Sequence, residues 1–185
     1  MAGSLNEPEV FAELVSRHAS ALHAFLSRRT RVVDDVLAES WLVAFRRRRD
    51  FDPAIAPFKG WLFGIARTTL LAQQRRSREE AARPYRVSAV VDLVDDGGWD
   101  EVDARLDAQA CGPRLRAALL ALPAVERDIL LLVAWDGLSP TEAAAVLGIP
   151  PGTARSRLHR ARQALQTSEV ARVAGEHFME EEAHD

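Results

Sequence analysis

Arg155, Arg157, Arg160 and Arg162, with Thr153, Ser156 and His159 among them, are the side chains in this 185-residue sequence most suited to chemistry. Their types point to recognition and not to bond-making. A guanidinium can donate two hydrogen bonds to the O6 and N7 edge of a guanine, and a hydroxyl can meet several base edges. On a helix, spacings of one, three and four bring Thr153, Arg155, Ser156, His159 and Arg160 near one another. Arg157 and Arg162 project elsewhere, where phosphate oxygens are the expected partners. Leu158, Ala161 and Leu165 then face a core. The pattern fits a helix whose N-terminal half enters the major groove of DNA.

A basic amphipathic helix on a solvated surface would carry similar residues, so the residues before it decide. Ser139-Pro140-Thr141-Glu142 combines three helix-start signals: a capping serine, a proline for the first turn, and a glutamate that closes a capping box. The short helix Thr141–Leu147 stops at Gly148, which suits the left-handed conformation after a helix. Ile149 and Pro150 make a turn, and Pro151-Gly152 open the basic helix. Short helix, glycine turn and basic helix predict a helix-turn-helix.

A second set lies near the loop of residues 49–57. Phe58, Lys59, Trp61, Arg67 and Arg75 offer planar groups and positive charge, which single-stranded DNA requires. Taken alone, Trp61 reads more readily as a core tryptophan. A third set, Asp34, Asp35, Ala38, Glu39 and Leu42, lies opposite the apolar stripe of its helix. It fits a basic partner surface or an ordinary solvated face.

The positioning elements are all predicted to be helices. One starts at Asn6 with Pro8 in its first turn and buries Phe11, Leu14, Val15, Leu22, Phe25 and Leu26. The next, residues 32–48, buries Val33, Val36, Leu37, Trp41, Ala44 and Phe45. Pro53 and Pro57 break the chain, and a third helix runs from Phe58 to about Glu80, with Trp61, Leu62, Ile65, Ala66, Leu70 and Leu71 as its apolar stripe. Helices at 113–121, 124–136, 140–147 and 152–166 follow, and the acidic run Glu180–Glu182 ends in a tail expected to fray. The expected fold class is all-α, with a three-helix module at 1–80 and a four-helix module at 113–167. A flexible acidic linker at 81–112, with a short helix near 100–110, joins them, and an acidic tail occupies 168–185. Charge follows these divisions: residues 1–85 carry +4, 86–112 carry −5, 113–167 carry +3 and 168–185 carry −5. Two basic modules that each meet a polyanion account for the alternation.

Composition narrows the class. Hydrophobic residues make up 48% of the chain and aromatics only 6%, with abundant Ala, Leu and Arg, which favours helices. The single cysteine, Cys111, allows no intrachain disulfide, and no Cys/His cluster has zinc spacing, so no metal or cofactor is expected. His18, His23, His159, His177 and His184 form no ligand or triad motif, and no catalytic residue is assigned. No apolar run has membrane-spanning length, and a cytoplasmic protein without membrane insertion is expected.

The stretch from Leu138 through Ala144, and from Leu147 through Arg162, closely resembles the promoter −35-reading domain of sigma-70-family transcription factors, most of all their extracytoplasmic-function (ECF) group. The lead-in Leu122-Pro123-Ala124-Val125-Glu126-Arg127 is similar as well. In the first module, Phe11-Ala12-Glu13-Leu14, Asp35–Trp41, Phe51-Asp52-Pro53, Phe58–Leu62 and Ile65-Ala66-Arg67 resemble the same family's core-binding and −10-reading domain. The resemblance implies that Arg155, Ser156, His159 and Arg160 meet the −35 element. It implies that the Phe58–Arg75 stretch, Thr68 included, opens and captures the −10 element. It also implies that the Asp34–Leu42 face docks on the β′ clamp helices of core RNA polymerase. Further implied partners are the polymerase β flap, promoter DNA and an anti-sigma factor. Ala38, Thr68 and Ala72 depart from the glutamine, asparagine and aspartate that the family often carries there.

Two rival readings remain at this level. A helix-turn-helix regulator that never joins polymerase would share the second module, but would need a ligand-binding or phospho-acceptor domain in place of the first. An adaptor that binds acidic proteins would show no salt-sensitive preference for a duplex.

Overall fold

The computed structural model describes the backbone of residues 8–82 and 113–182, and the side chains of residues 9–79 and 115–167. The expected cap at Asn6, the short helix near 100–110 and the linker at 83–112 lie outside the described residues. Among the described residues every regular element is a helix: α1 (Pro8–Ser27), α2 (Val33–Arg46), a 3₁₀ turn (Arg48–Asp50), α3 (Phe58–Ala82), α4 (Pro113–Leu120), α5 (Ala124–Ala134), α6 (Pro140–Leu147) and α7 (Pro151–Glu182).

The first bundle, α1–α3, forms where three apolar stripes meet. Leu22, Phe25 and Leu26 of α1, Val36 and Ala44 of α2, and Leu62, Phe63, Ile65, Ala66 and Leu70 of α3 are all buried. Phe63, outside the expected stripe, is fully buried, with its ring 5.0 Å from that of Phe25. Phe45 departs from expectation in the other direction. It is 37% exposed, touching Phe11 on one edge while the Arg48 guanidinium lies 4.1 Å over its ring. Placement at the end of α2, beside the 3₁₀ turn, leaves it at the rim of the bundle. That turn also ends α2 at Arg46 and takes up the first residues of the expected loop.

In the second bundle, α5 is the central helix. Ile129, Leu130, Leu131 and Leu132 are buried among Leu119, Leu122, Leu138, Ala143, Ala144, Val146, Ala154, Leu158 and Ala161. The caps of α6 take the form that its residues predict. Ser139 Oγ accepts from the Glu142 N–H at 3.2 Å, and Glu142 Oε2 accepts from the Ser139 N–H at 2.7 Å. At the other end Gly148 has φ +65°, with the Ile149 N–H donating to Ala144 O and the Gly148 N–H to Ala145 O. This is the Schellman arrangement, which satisfies carbonyls that the helix leaves over. Ser139→Ala removes one cap bond and is expected to cost about 1 kcal/mol. Urea unfolding followed by far-UV circular dichroism measures it, and an unchanged midpoint would count against the cap.

The last helix corrects an expectation. It does not stop near 166 in a frayed tail; α7 continues to Glu182. No proline follows Pro151, and the stretch beyond 166 offers only Gly175 as an interruption.

The two bundles pack against each other, and their most extensive helix pair is α3 with α6. Gly60 makes this approach possible, because a Cβ there would lie 3.0 Å from the Glu142 backbone. One turn on, a Cβ at Gly64 would be in ordinary contact with Ala145 and Val146. Beside the glycines, Asp136 in the α5–α6 connection accepts from both Arg28 and Arg29, at the end of α1. The Arg29 guanidinium is 2.5 Å from Asp136 Oδ2 and also donates to Phe25 O at 2.8 Å. Arg29 is 1% exposed, and the Asp136 carboxylate is fully buried. Burial pulls the Arg29 guanidinium below the ordinary arginine range, and Asp136 opposes that pull.

Candidate nucleic-acid interface

The helix-turn-helix presents its basic helix outward. Arg155, Ser156, His159, Arg160 and Arg162 are exposed, and Thr153 and Arg157 are half-buried. On the opposite side Ala154, Leu158 and Ala161 are buried against the second bundle. The 3.6-residue period therefore puts guanidinium, hydroxyl and imidazole groups on one open face. Two members have internal commitments. Ser156 Oγ donates to Thr153 O at 2.9 Å, and Arg160 Nε lies 3.1 Å from Glu126 Oε1 on α5. The Arg160–Glu126 bridge orients that guanidinium along the helix flank, leaving Arg155 and His159 nearer the leading end. Glu126 is thus a second-module residue that bears on this face. Its only sequence signal is its place at the start of α5.

The α3 set is arranged differently. Phe51, Phe58 and Trp61 form an aromatic cluster with ring centroids 5.4–5.7 Å apart, and His18 joins it 5.4 Å from Phe58. Burial holds His18 below its usual range, with Arg17 and Lys59 adding to the effect and Glu142 opposing it. Trp61 is half-buried, so it serves the core on one side and is open on the other. Thr68 is exposed and donates to Gly64 O at 2.9 Å; Arg67 is half-buried and Arg75 exposed. Lys59 is committed across the seam, donating to Gly137 O at 3.0 Å.

A cavity of about 870 Å³ separates this face of α3 from α6. Trp61, Arg67, Thr68 and Ala72 line one wall, while Ala144, Ala145 and the Gly148–Pro151 turn line the other. The structure thus brings Trp61, Arg67 and Thr68 together, and Glu39 of the α2 set lines the same cavity. Lys59 it turns toward the second bundle. Asp34, Asp35, Ala38, Glu39 and Leu42 are all exposed on α2, with Leu42 at 43%. An exposed leucine among three carboxylates is a surface with both an apolar contact and charge to offer. Among the described residues no group of His, Cys, Asp and Glu could hold a metal ion, and no helix is long and apolar enough to cross a membrane.

Comparison with known proteins adds to this geometry. The family model for sigma-70 region 2 matches residues 14–80, and that for sigma-70 region 4 matches residues 113–165. The chain is 33% identical over 166 residues to the RNA polymerase sigma factor CnrH of Cupriavidus metallidurans, which covers 84% of each protein. It is 30% identical over 169 residues to the ECF RNA polymerase sigma factor SigL of Mycobacterium tuberculosis, covering 86% of this chain and 89% of SigL. Among solved structures, CnrH in complex with the cytosolic domain of CnrY superposes with a TM-score of 0.55 at 28% identity, over 92% of this chain and 94% of that one.

Proposed function

This chain belongs to the sigma-70 family of RNA polymerase sigma factors, in its ECF group, and from that membership we propose how its residues divide the work of promoter-specific initiation. As a sigma factor it binds core RNA polymerase and directs transcription initiation at promoter DNA. In our reading, residues 1–80 form the core-binding and −10-reading domain, 81–112 a linker, 113–167 the −35-reading domain and 168–185 an acidic tail. The exposed α2 face of Asp34, Asp35, Ala38, Glu39 and Leu42 docks on the β′ clamp helices. The second module engages the β flap. Arg155, Ser156, His159 and Arg160, with Thr153, read base edges of the −35 element, while Arg157 and Arg162 hold phosphates. Phe58, Lys59, Trp61, Arg67, Thr68 and Arg75 receive the melted −10 strand. The chain supplies specificity and strand capture, while polymerase supplies the chemistry. It works in the cytoplasm, under an anti-sigma factor.

The single observation that carries this division is the outward, exposed placement of the basic face of α7 behind a fully capped α6. A regulator independent of polymerase shares that feature. The first module, which matches sigma-70 region 2, has no place in such a regulator.

Reconstitution with core RNA polymerase and a promoter library tests the reading. Transcripts that start at a shared −35/−10 pattern are expected. Failure to bind core polymerase would overturn it.

A further inference from the structure

Arg160 is held from one side. Among the described residues it is the one cation of the α7 reading face with a carboxylate partner, Glu126 Oε1, which lies 3.1 Å from its Nε. The Arg160 side chain is 60% exposed and that of Glu126 only 15%, so the carboxylate meets the guanidinium from the protein side and leaves its far edge open. Both ends of the contact stand on fixed backbone. Leu158 and Ala161, on either side of Arg160 in the chain, are buried, and so are Ile129 and Leu130, one turn along α5 from Glu126. The two helices pack side by side.

An ion pair this open adds little to stability, so its effect is on geometry. A guanidinium carries one N–H on Nε and four on its terminal nitrogens. Glu126 takes the Nε side. The terminal edge keeps the two parallel donors that guanine O6 and N7 require. The carboxylate also cancels much of the attraction to a phosphate oxygen, while directional bonds to an uncharged base edge survive.

We propose that Glu126 is a positioning residue for promoter reading, which holds Arg160 with its terminal nitrogens toward the groove and makes guanine the base read there. It also keeps the guanidinium off the phosphates. The proposal rests on the assignment of Arg160 to the −35 element. A free arginine must freeze several rotors when it binds, whereas Arg160 reaches the groove already ordered. Glu126 acts through Arg160 and touches no base itself.

Selection from a duplex promoter library randomised over the −35 element, by the full chain reconstituted with core RNA polymerase, tests this. Sequencing the bound DNA gives the base preference at each position, and a non-promoter duplex gives the background affinity. Arg160→Ala should erase a guanine preference at one position. Glu126→Gln, which keeps the side chain's size, and Glu126→Ala should each weaken that same preference about three- to tenfold. Other positions should hold, and background affinity should stay equal or rise, because a negative charge has left the DNA-facing side. In the Arg160→Ala background neither change should lower the preference further. An acidic residue in the first turn of α5 also favours the helix itself, and that role alone would weaken all positions together, with or without Arg160. Such uniform weakening overturns the proposal, as does a guanine preference lost in Arg160→Ala but intact in both Glu126 variants. A lost preference for a different base overturns the guanine assignment. An unchanged profile in Arg160→Ala removes Arg160 from the −35 set, and Glu126 with it.

Discussion

Arg155→Ala is expected to lower discrimination between the selected −35 element and a mutated one by roughly 1–3 kcal/mol, about five- to more than a hundredfold in relative affinity. Arg155 is exposed in the leading half of α7, one residue from Ser156 and four from His159. Its neighbour Ala154 is buried, so the helix cannot rotate to compensate without losing its packing. Fluorescence anisotropy with cognate and mutated duplexes, at one fixed salt concentration, reads the effect. Core-polymerase affinity should not move, because α7 lies in the other module from α2. Arg160→Ala should also weaken −35 discrimination, though part of its cost comes from releasing Glu126. A phosphate-binding role would look different: both duplexes would weaken equally and the salt slope would fall by about one. That result for Arg155 would move it out of the base-reading set.

Phe63→Ala is expected to destabilise the first bundle by about 3–5 kcal/mol. The ring is fully buried, packs on Phe25 and carries the Lys59 ammonium 5.7 Å from its centre. No neighbour is placed to fill the space, because Phe25, Leu26 and Leu62 are themselves fully buried in the same core. Urea unfolding should show the loss, since it consumes much of the stability of a small domain. Core-polymerase binding should fail with it, while the second bundle keeps its affinity for duplex DNA. An unshifted unfolding midpoint would mean that Phe63 is not in the core.

Much of the second module was legible because its signals are local. Ser139, Pro140, Glu142 and Gly148 act on backbone groups within a few residues, so a capped helix and its turn can be read from their order. The apolar stripes of α1 and α3 follow the same logic. Phe63 fell outside the stripe because α3 is covered on a second side, by the packing of α1 at Phe25. Arg29 could not be read at all. Its burial depends on Asp136, 107 residues away, and a lone arginine gives no hint of such a partner. Gly60 and Gly64 did leave a trace. Two glycines one turn apart on a helix mark a place where another backbone comes close, and here that backbone belongs to α6. At the interface, residue type pointed to the candidate reading faces, whereas only the packing of the modules showed that Trp61 and Arg67 share a cavity with α6.

The bond from Lys59 to Gly137 O has a practical consequence, because Lys59 is the sole lysine of the chain. An acylating reagent thus has a single side-chain amine to find, and it lies at the seam. Acylation needs the nitrogen lone pair, which a hydrogen-bonded ammonium does not offer. How fast that one amine reacts, followed by mass spectrometry on untagged protein, becomes a gauge of how well the packing of the two bundles protects it.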